Sequence, residues 1–222
     1  MMTRLAVSIV AMTLAAGTAQ AQQGAEKLKK EIQPTKKVES QPAKADKPAV
    51  TLKVGDAAPK LEVTNWIKGS EVPVFEKDHA YVVEFWATWC GPCRESIPHL
   101  TKLQKDNKDI TFIGVTASER GDDKAKKLEG VQKFVKAQGD GMAYTVAYDE
   151  THTMGEKWLA AAGVGTIPTA FIVDGDGKIV FIGNPLNNPE FDKKVEQISK
   201  AMHKGEKHDK AKGAAKKSKA PG

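Results

Sequence analysis

Apolar residues along this chain fall into short β-rich runs separated by stretches of helical spacing. Residues 81–86 (YVVEFW) and 110–115 (ITFIGV) are of strand length, rich in β-branched and aromatic side chains, and read as buried strands. Between them Ile97, Leu100 and Leu103 recur at helical spacing within 94–106, and Pro98 is expected to kink that helix. Residues 122–137 repeat the pattern, with Leu128, Val131, Phe134 and Val135 on one side. A third strand is expected at 145–148 and a helix at 151–161. A hairpin follows, 169–173 and 178–182 joined by Asp174-Gly175-Asp176-Gly177, and a last helix at 191–202. Strands that alternate with helices and close on a hairpin imply an α/β fold, a mixed central sheet flanked by helices on both faces.

The pattern changes at both ends. Behind Arg4 a single apolar run covers residues 5–16, followed by the small-x-small sequence Gly17-Thr18-Ala19-Gln20-Ala21. A spanning helix needs about 20 apolar residues, so 1–21 reads as a cleavable signal peptide, with an uncleaved membrane anchor as the alternative. No cysteine follows the run, which removes a lipoprotein anchor from consideration. Export places the chain in the periplasm or otherwise outside the cytoplasm, where the setting is oxidising. Residues 22–50 mix seven Lys with Pro34, Pro42 and Pro48, and residues 204–222 carry seven more Lys. Neither stretch has an aromatic residue, and both read as disordered, a linker and a tail around one domain at 51–203.

Charge divides along the same lines. The whole chain carries a formal +6, yet residues 51–203 hold nineteen basic and twenty-two acidic residues. The positive balance therefore belongs to the ends. Lys-rich ends attract polyanions weakly, but without interleaved aromatic residues they carry no specific nucleic-acid signal.

Cys90-Gly91-Pro92-Cys93 contains the only two cysteines of the 222 residues. In the chain-entropy model a bridge over four residues contributes roughly 1.9 kcal/mol, against about 4.7 for a hundred, so the spacing suits exchange better than stapling. Zinc would need more ligands: there is no second CxxC, and His79, His99, His152, His203 and His208 are scattered, so no metal is expected. The cysteines lie where a predicted strand meets a predicted helix, which puts Cys90 at the helix's positive end. An ordinary thiol is only about three per cent thiolate at pH 7, and a helix N-terminus stabilises that anion. Cys90 is therefore the expected nucleophile, and Cys93 the thiol that resolves its mixed disulfide intramolecularly.

Glu84-Phe85-Trp86-Ala87-Thr88-Trp89-Cys90-Gly91-Pro92-Cys93, then Pro98, with Gly165-Thr166-Ile167-Pro168-Thr169 downstream, resembles the thioredoxin superfamily. The leader, the added 122–137 segment and the stretch TASERGDD are similar to the exported TlpA/ResA-like reductases. The resemblance covers residues 54–203 and implies the thioredoxin fold. It further implies that Glu84, on a run that otherwise reads as core, is the buried acid that takes the proton of Cys93. The alternative is a strand-face residue that meets solvent or a lysine. Pro168 would be cis and face the disulfide, the backbone of Ile167 would pair with substrate like an added strand, and Trp89, Gly91 and Pro92 would shape the platform around Cys90. Trp86 reads as core. The chain departs from many TlpA/ResA-like reductases in having Ser96 where they carry Glu, with Glu95 one place earlier.

These residues imply a thiol:disulfide oxidoreductase that reduces protein disulfides outside the cytoplasm. It would use no cofactor beyond its own Cys90-Cys93 disulfide and would be re-reduced by an upstream, membrane-bound electron donor. Three alternatives stay open: an oxidant or isomerase, a thiol-dependent peroxidase, and a non-catalytic binding module. The peroxidase lacks its Thr-x-x-Cys spacing, since Thr88-Trp89-Cys90 is one residue short.

Overall fold

The computed structural model describes residues 50–217; the expected signal peptide, nearly all of the expected linker and the last residues of the expected tail lie outside the described residues. Six strands form one sheet in the order β1-β4-β3-β2-β5-β6. They are β1 (Asn65–Lys68), β2 (Ala80–Trp86), β3 (Ile110–Thr116), β4 (Thr145–Tyr148), β5 (Thr169–Val173) and β6 (Ile179–Gly183). β2, β3 and β4 run parallel, while β1, β5 and β6 are antiparallel to their neighbours. This is the mixed sheet expected for a thioredoxin fold. β1 was not legible in the apolar pattern, because Asn65 and Lys68 break the run and all four of its residues are only half-buried.

Strand alternation sorts the core into two layers. Val82, Trp86, Phe112, Val146, Ala170 and Ile172 face one way, against α1 (Gly91–Asp106), α2 (Lys124–Gln138) and α3 (Pro189–Lys217). Tyr81, Val83, Phe85, Ile113, Val115 and Phe171 face the other, against Leu52, Leu61 and the π-helical turn Gly155–Ala160 with its buried Trp158. Helical structure thus covers both faces, unequally. The helix expected at 151–161 is shorter because His152 takes a left-handed φ of 63° and Asp149 turns its carboxylate onto the N–H groups of Thr151 and Met154. α3 continues past the expected end at 202 as far as Lys217. Among the described residues, no helix is long and apolar enough to cross a membrane.

Two features of this sheet place the site. β2 ends at Trp86 and the chain turns directly into α1, so both cysteines sit at the carboxyl edge of a central strand. β5 pairs antiparallel with β2 in the register Phe85 to Thr169, which brings the start of β5, and hence Pro168, to that same edge.

Candidate active site

Cys90 is the N-cap of α1, with extended backbone angles, and its Sγ accepts the N–H of Cys93 at 3.2 Å. Pro92 stands in the first helical turn, where a missing N–H costs no helical bond. The first turn contains no acidic residue, so nothing offsets the positive end of the helix at the sulfur. Cys90 and Cys93 are joined as a disulfide, S–S 2.05 Å. Cys90 is 4 % exposed and Cys93 0 %, so the sulfur open to attack is that of Cys90. Gly91 is exposed, and a Cβ there would meet nothing within 4 Å, which leaves the approach to the disulfide bare. Ser96 is fully buried and donates its hydroxyl to the carbonyl of Cys93 at 2.7 Å, a bond that an ionised Glu, which only accepts, could not make.

The Ile167-Pro168 bond is cis, and the carbonyl oxygen of Ile167 stands 3.8 Å from Cys90 Sγ. Thr169 Oγ1 donates to the carbonyl of Thr166 and tightens this turn. Trp89 is 41 % exposed beside Cys90. Its indole N–H donates to the carbonyl of Ser118 at 2.9 Å, and the Arg120 guanidinium lies 3.8 Å over its ring. Glu119, from the same loop, accepts the N–H and hydroxyl of Thr88, both at 2.7 Å, and the hydroxyl of Thr116 at 2.9 Å. The turn that carries Trp89 and Cys90 is therefore latched to the loop after β3. A groove of about 340 Å³, mostly apolar, runs from Trp89 past Ala117 and Leu159 to Val164, Thr166 and Ile167.

Glu84 alternates with Val83 and Phe85, so it shares the sheet face of Val82 and Trp86, the face on which α1 and Cys93 pack. It is 2 % exposed, and neither carboxylate oxygen has a hydrogen-bond partner. No salt bridge reaches it among the described residues. Burial alone pushes its carboxyl up to about 8. Neither of the alternatives for this residue, solvent or a lysine, is what the structure places there. Trp86 is core. Among the described residues, no three His, Cys, Asp or Glu cluster as metal ligands.

Glu119, Arg120, Tyr144 and Gly114 were missed by sequence reasoning. Glu119 and Arg120 lie within a stretch whose family likeness was visible but whose contacts depend on the tertiary loop. Gly114, isolated in a strand pattern, carried the one usable signal: such a glycine marks a close approach of other groups.

Disulfide at a strand-to-helix turn, cis-proline beside it and a six-stranded mixed sheet define the thioredoxin superfamily, TlpA/ResA-like. The Redoxin family model matches residues 53–201, so the chain belongs to that family, and its match to ResA proteins over two thirds of their length makes it a thiol-disulfide oxidoreductase. It is 33 % identical over 138 residues to Protein FixW of Rhizobium leguminosarum, covering 61 % of this chain and 62 % of that protein. With thiol-disulfide oxidoreductase ResA of Bacillus thuringiensis it shares 32 % identity over 132 residues, 58 % of this chain and 68 % of that one. The crystal structure of the thioredoxin domain of a thiol-disulfide oxidoreductase from Bacteroides vulgatus superposes with a TM-score of 0.51 at 25 % identity, covering 66 % of this chain and 97 % of that one.

Proposed function

We propose that this chain is exported and reduces protein disulfides outside the cytoplasm, with its own cysteine pair as the only redox group. The observation that carries the reading is a helix-capping Cys90, less covered than its partner Cys93, on the sheet face that also buries an unpaired Glu84. In the dithiol form the Cys90 thiolate attacks a client disulfide; a Cys90–client disulfide forms and the client's second sulfur leaves as thiolate. Glu84 takes the proton of Cys93, whose thiolate attacks Cys90 Sγ and releases the client's other sulfur. The client gains two electrons and the chain returns to the disulfide.

Re-reduction reverses the proton traffic. A thiolate of a dithiol donor attacks Cys90, Cys93 leaves as a buried thiolate and takes a proton from Glu84, neutral in the disulfide form below about pH 8, and the donor's second thiolate then displaces Cys90 and leaves the donor as a disulfide. One carboxyl close to the working pH serves both directions. Ile167 and the groove beside Trp89 receive the client backbone as an added strand and one apolar side chain. The donor is a membrane-bound dithiol, and the Lys-rich ends make only weak, salt-sensitive contact with polyanions.

Cys93→Ser is expected to accumulate a mixed disulfide with reducible proteins, visible on a non-reducing gel, and Cys90→Ser to accumulate none. Equal trapping by both variants, or by neither, rejects the assignment. Equilibration with glutathione decides the direction, since about 30 mV corresponds to a tenfold change in equilibrium constant.

A further inference from the structure

Two side chains beside Glu84, around one gap in the sheet, are left unused by the exchange chemistry. Both carboxylate oxygens of Glu84, the indole N–H of Trp86 and the hydroxyl of Tyr144 are buried and lack a protein partner. Gly114 explains why they meet. It stands opposite Glu84 in the β2–β3 ladder, and a Cβ on it would lie 2.9 Å from Tyr144 Cε2 and 3.0 Å from Trp86 Nε1. Both rings therefore lean into the space that a side chain across from Glu84 would fill. The opposite neighbour in β5 is Ala170, equally small.

Left dry, each of these polar groups costs about 1–3 kcal/mol, and the ordinary remedy is a buried water with two to four polar partners. The chemistry of the set suits that remedy: two donors face one acid. Burial, and then the charge of Glu84, hold the Tyr144 phenol well above its usual range, so it stays a donor. The same layer holds Cys90 and Cys93 from α1, Phe134 from α2, Tyr148 from β4 and Phe191 and Val195 from α3, with the Arg94 guanidinium 6.0 Å from the Phe134 ring; its titratable groups among the described residues are therefore Glu84, Tyr144, Tyr148 and, in the dithiol form, the two cysteines.

We propose that Tyr144 is a positioning residue: its hydroxyl, with the Trp86 N–H, holds water against Glu84 and steadies the carboxylate that has to be present to take the proton of Cys93. Tyr144 thereby does without charge what a cation would do beside a buried acid. The inference rests on Glu84 being the proton acceptor proposed above.

Tyr144→Phe keeps the ring that fills the Gly114 gap and removes only the hydroxyl. In the disulfide-bonded full chain, the Glu84 carboxyl followed by carbon-13 NMR should titrate near pH 8 in the parent and about one unit higher in the variant. At pH 7 the Cys93 resolution step should slow about tenfold, the same one-unit change. A midpoint that stays in place or falls overturns the proposal. If the variant does not fold, the parent still answers: the Tyr144 Cζ resonance should move with the Glu84 midpoint, and a resonance flat through that range counts against the contact. Glu84→Gln separates the two ideas. If it leaves the pH profile of resolution intact, the acceptor reading falls; if it flattens the profile while Tyr144→Phe leaves the Glu84 midpoint unmoved, only the role of Tyr144 falls.

Discussion

Glu84 shows how a single residue trades stability for chemistry. Its carboxyl titrates near 4.5 in the unfolded chain and at about 8 in the fold, with burial as the cause. Below pH 4.5 it is protonated in both states and favours neither. As pH rises the unfolded chain ionises first, so native stability declines from about pH 4.5 until the folded group ionises near 8. The loss amounts to at most roughly 5 kcal/mol, taking about 1.4 kcal/mol per unit. Glu84→Gln should remove that slope: urea titrations with the disulfide intact should find the variant close to the parent at pH 5 and clearly more stable at pH 9. Parallel pH dependence in the two proteins would show that the acid is not buried as described. The burial of this residue was readable from its place in an apolar run with Tyr81, Val82, Val83 and Phe85. Its surroundings were not. Tyr144 precedes a different strand, and only the β2–β3–β4 register brings it over Gly114.

At the level of elements, the strand cores and the strand-to-helix cysteine turn were legible, since runs of β-branched and aromatic residues need only local periodicity. What escaped were contacts made across elements: the half-buried β1, the π-helical turn, and the loop after β3. That loop has a mechanical role. Glu119 satisfies the N–H and hydroxyl of Thr88 two residues before Cys90, and also the hydroxyl of Thr116 at the end of β3. Hydrogen bonds to a charged group are worth about 1.5–3 kcal/mol each where donors are covered, and less here because Glu119 is half-buried. Glu119→Ala should lower the unfolding free energy by about 1–3 kcal/mol in chemical denaturation. It should also slow attack on a client disulfide, because Trp89 loses the loop that holds its indole N–H and stacks Arg120 on its ring. An unchanged denaturation midpoint together with an unchanged attack rate would remove the latch from this description.

For the whole molecule, the sheet order brings two distant stretches to one edge, and the excess of positive charge in the sequence lies outside residues 51–203. The reactive turn follows β2 and the cis-proline precedes β5, strands paired antiparallel, so each can be moved relative to the other only by breaking the central ladder. Residues 51–203, which contain every group used in exchange, balance nineteen basic against twenty-two acidic residues, while 22–50 and 204–222 each carry seven Lys. Near an anionic surface each lysine contributes about 1 kcal/mol, and the attraction decays over a Debye length of about 8 Å at physiological salt. The two functions should therefore come apart. The chain without residues 1–21 should sediment with vesicles of anionic lipid at low salt and be released by 0.5 M salt, roughly the range where screening shortens to a few ångströms. A 51–203 fragment, with its net negative balance, should stay in solution under both conditions while it reduces disulfides at the full-chain rate. Sedimentation of the fragment, or a rate that falls with loss of the ends, would mean that the lysines reach the active edge and that charge and chemistry are not separable in this protein.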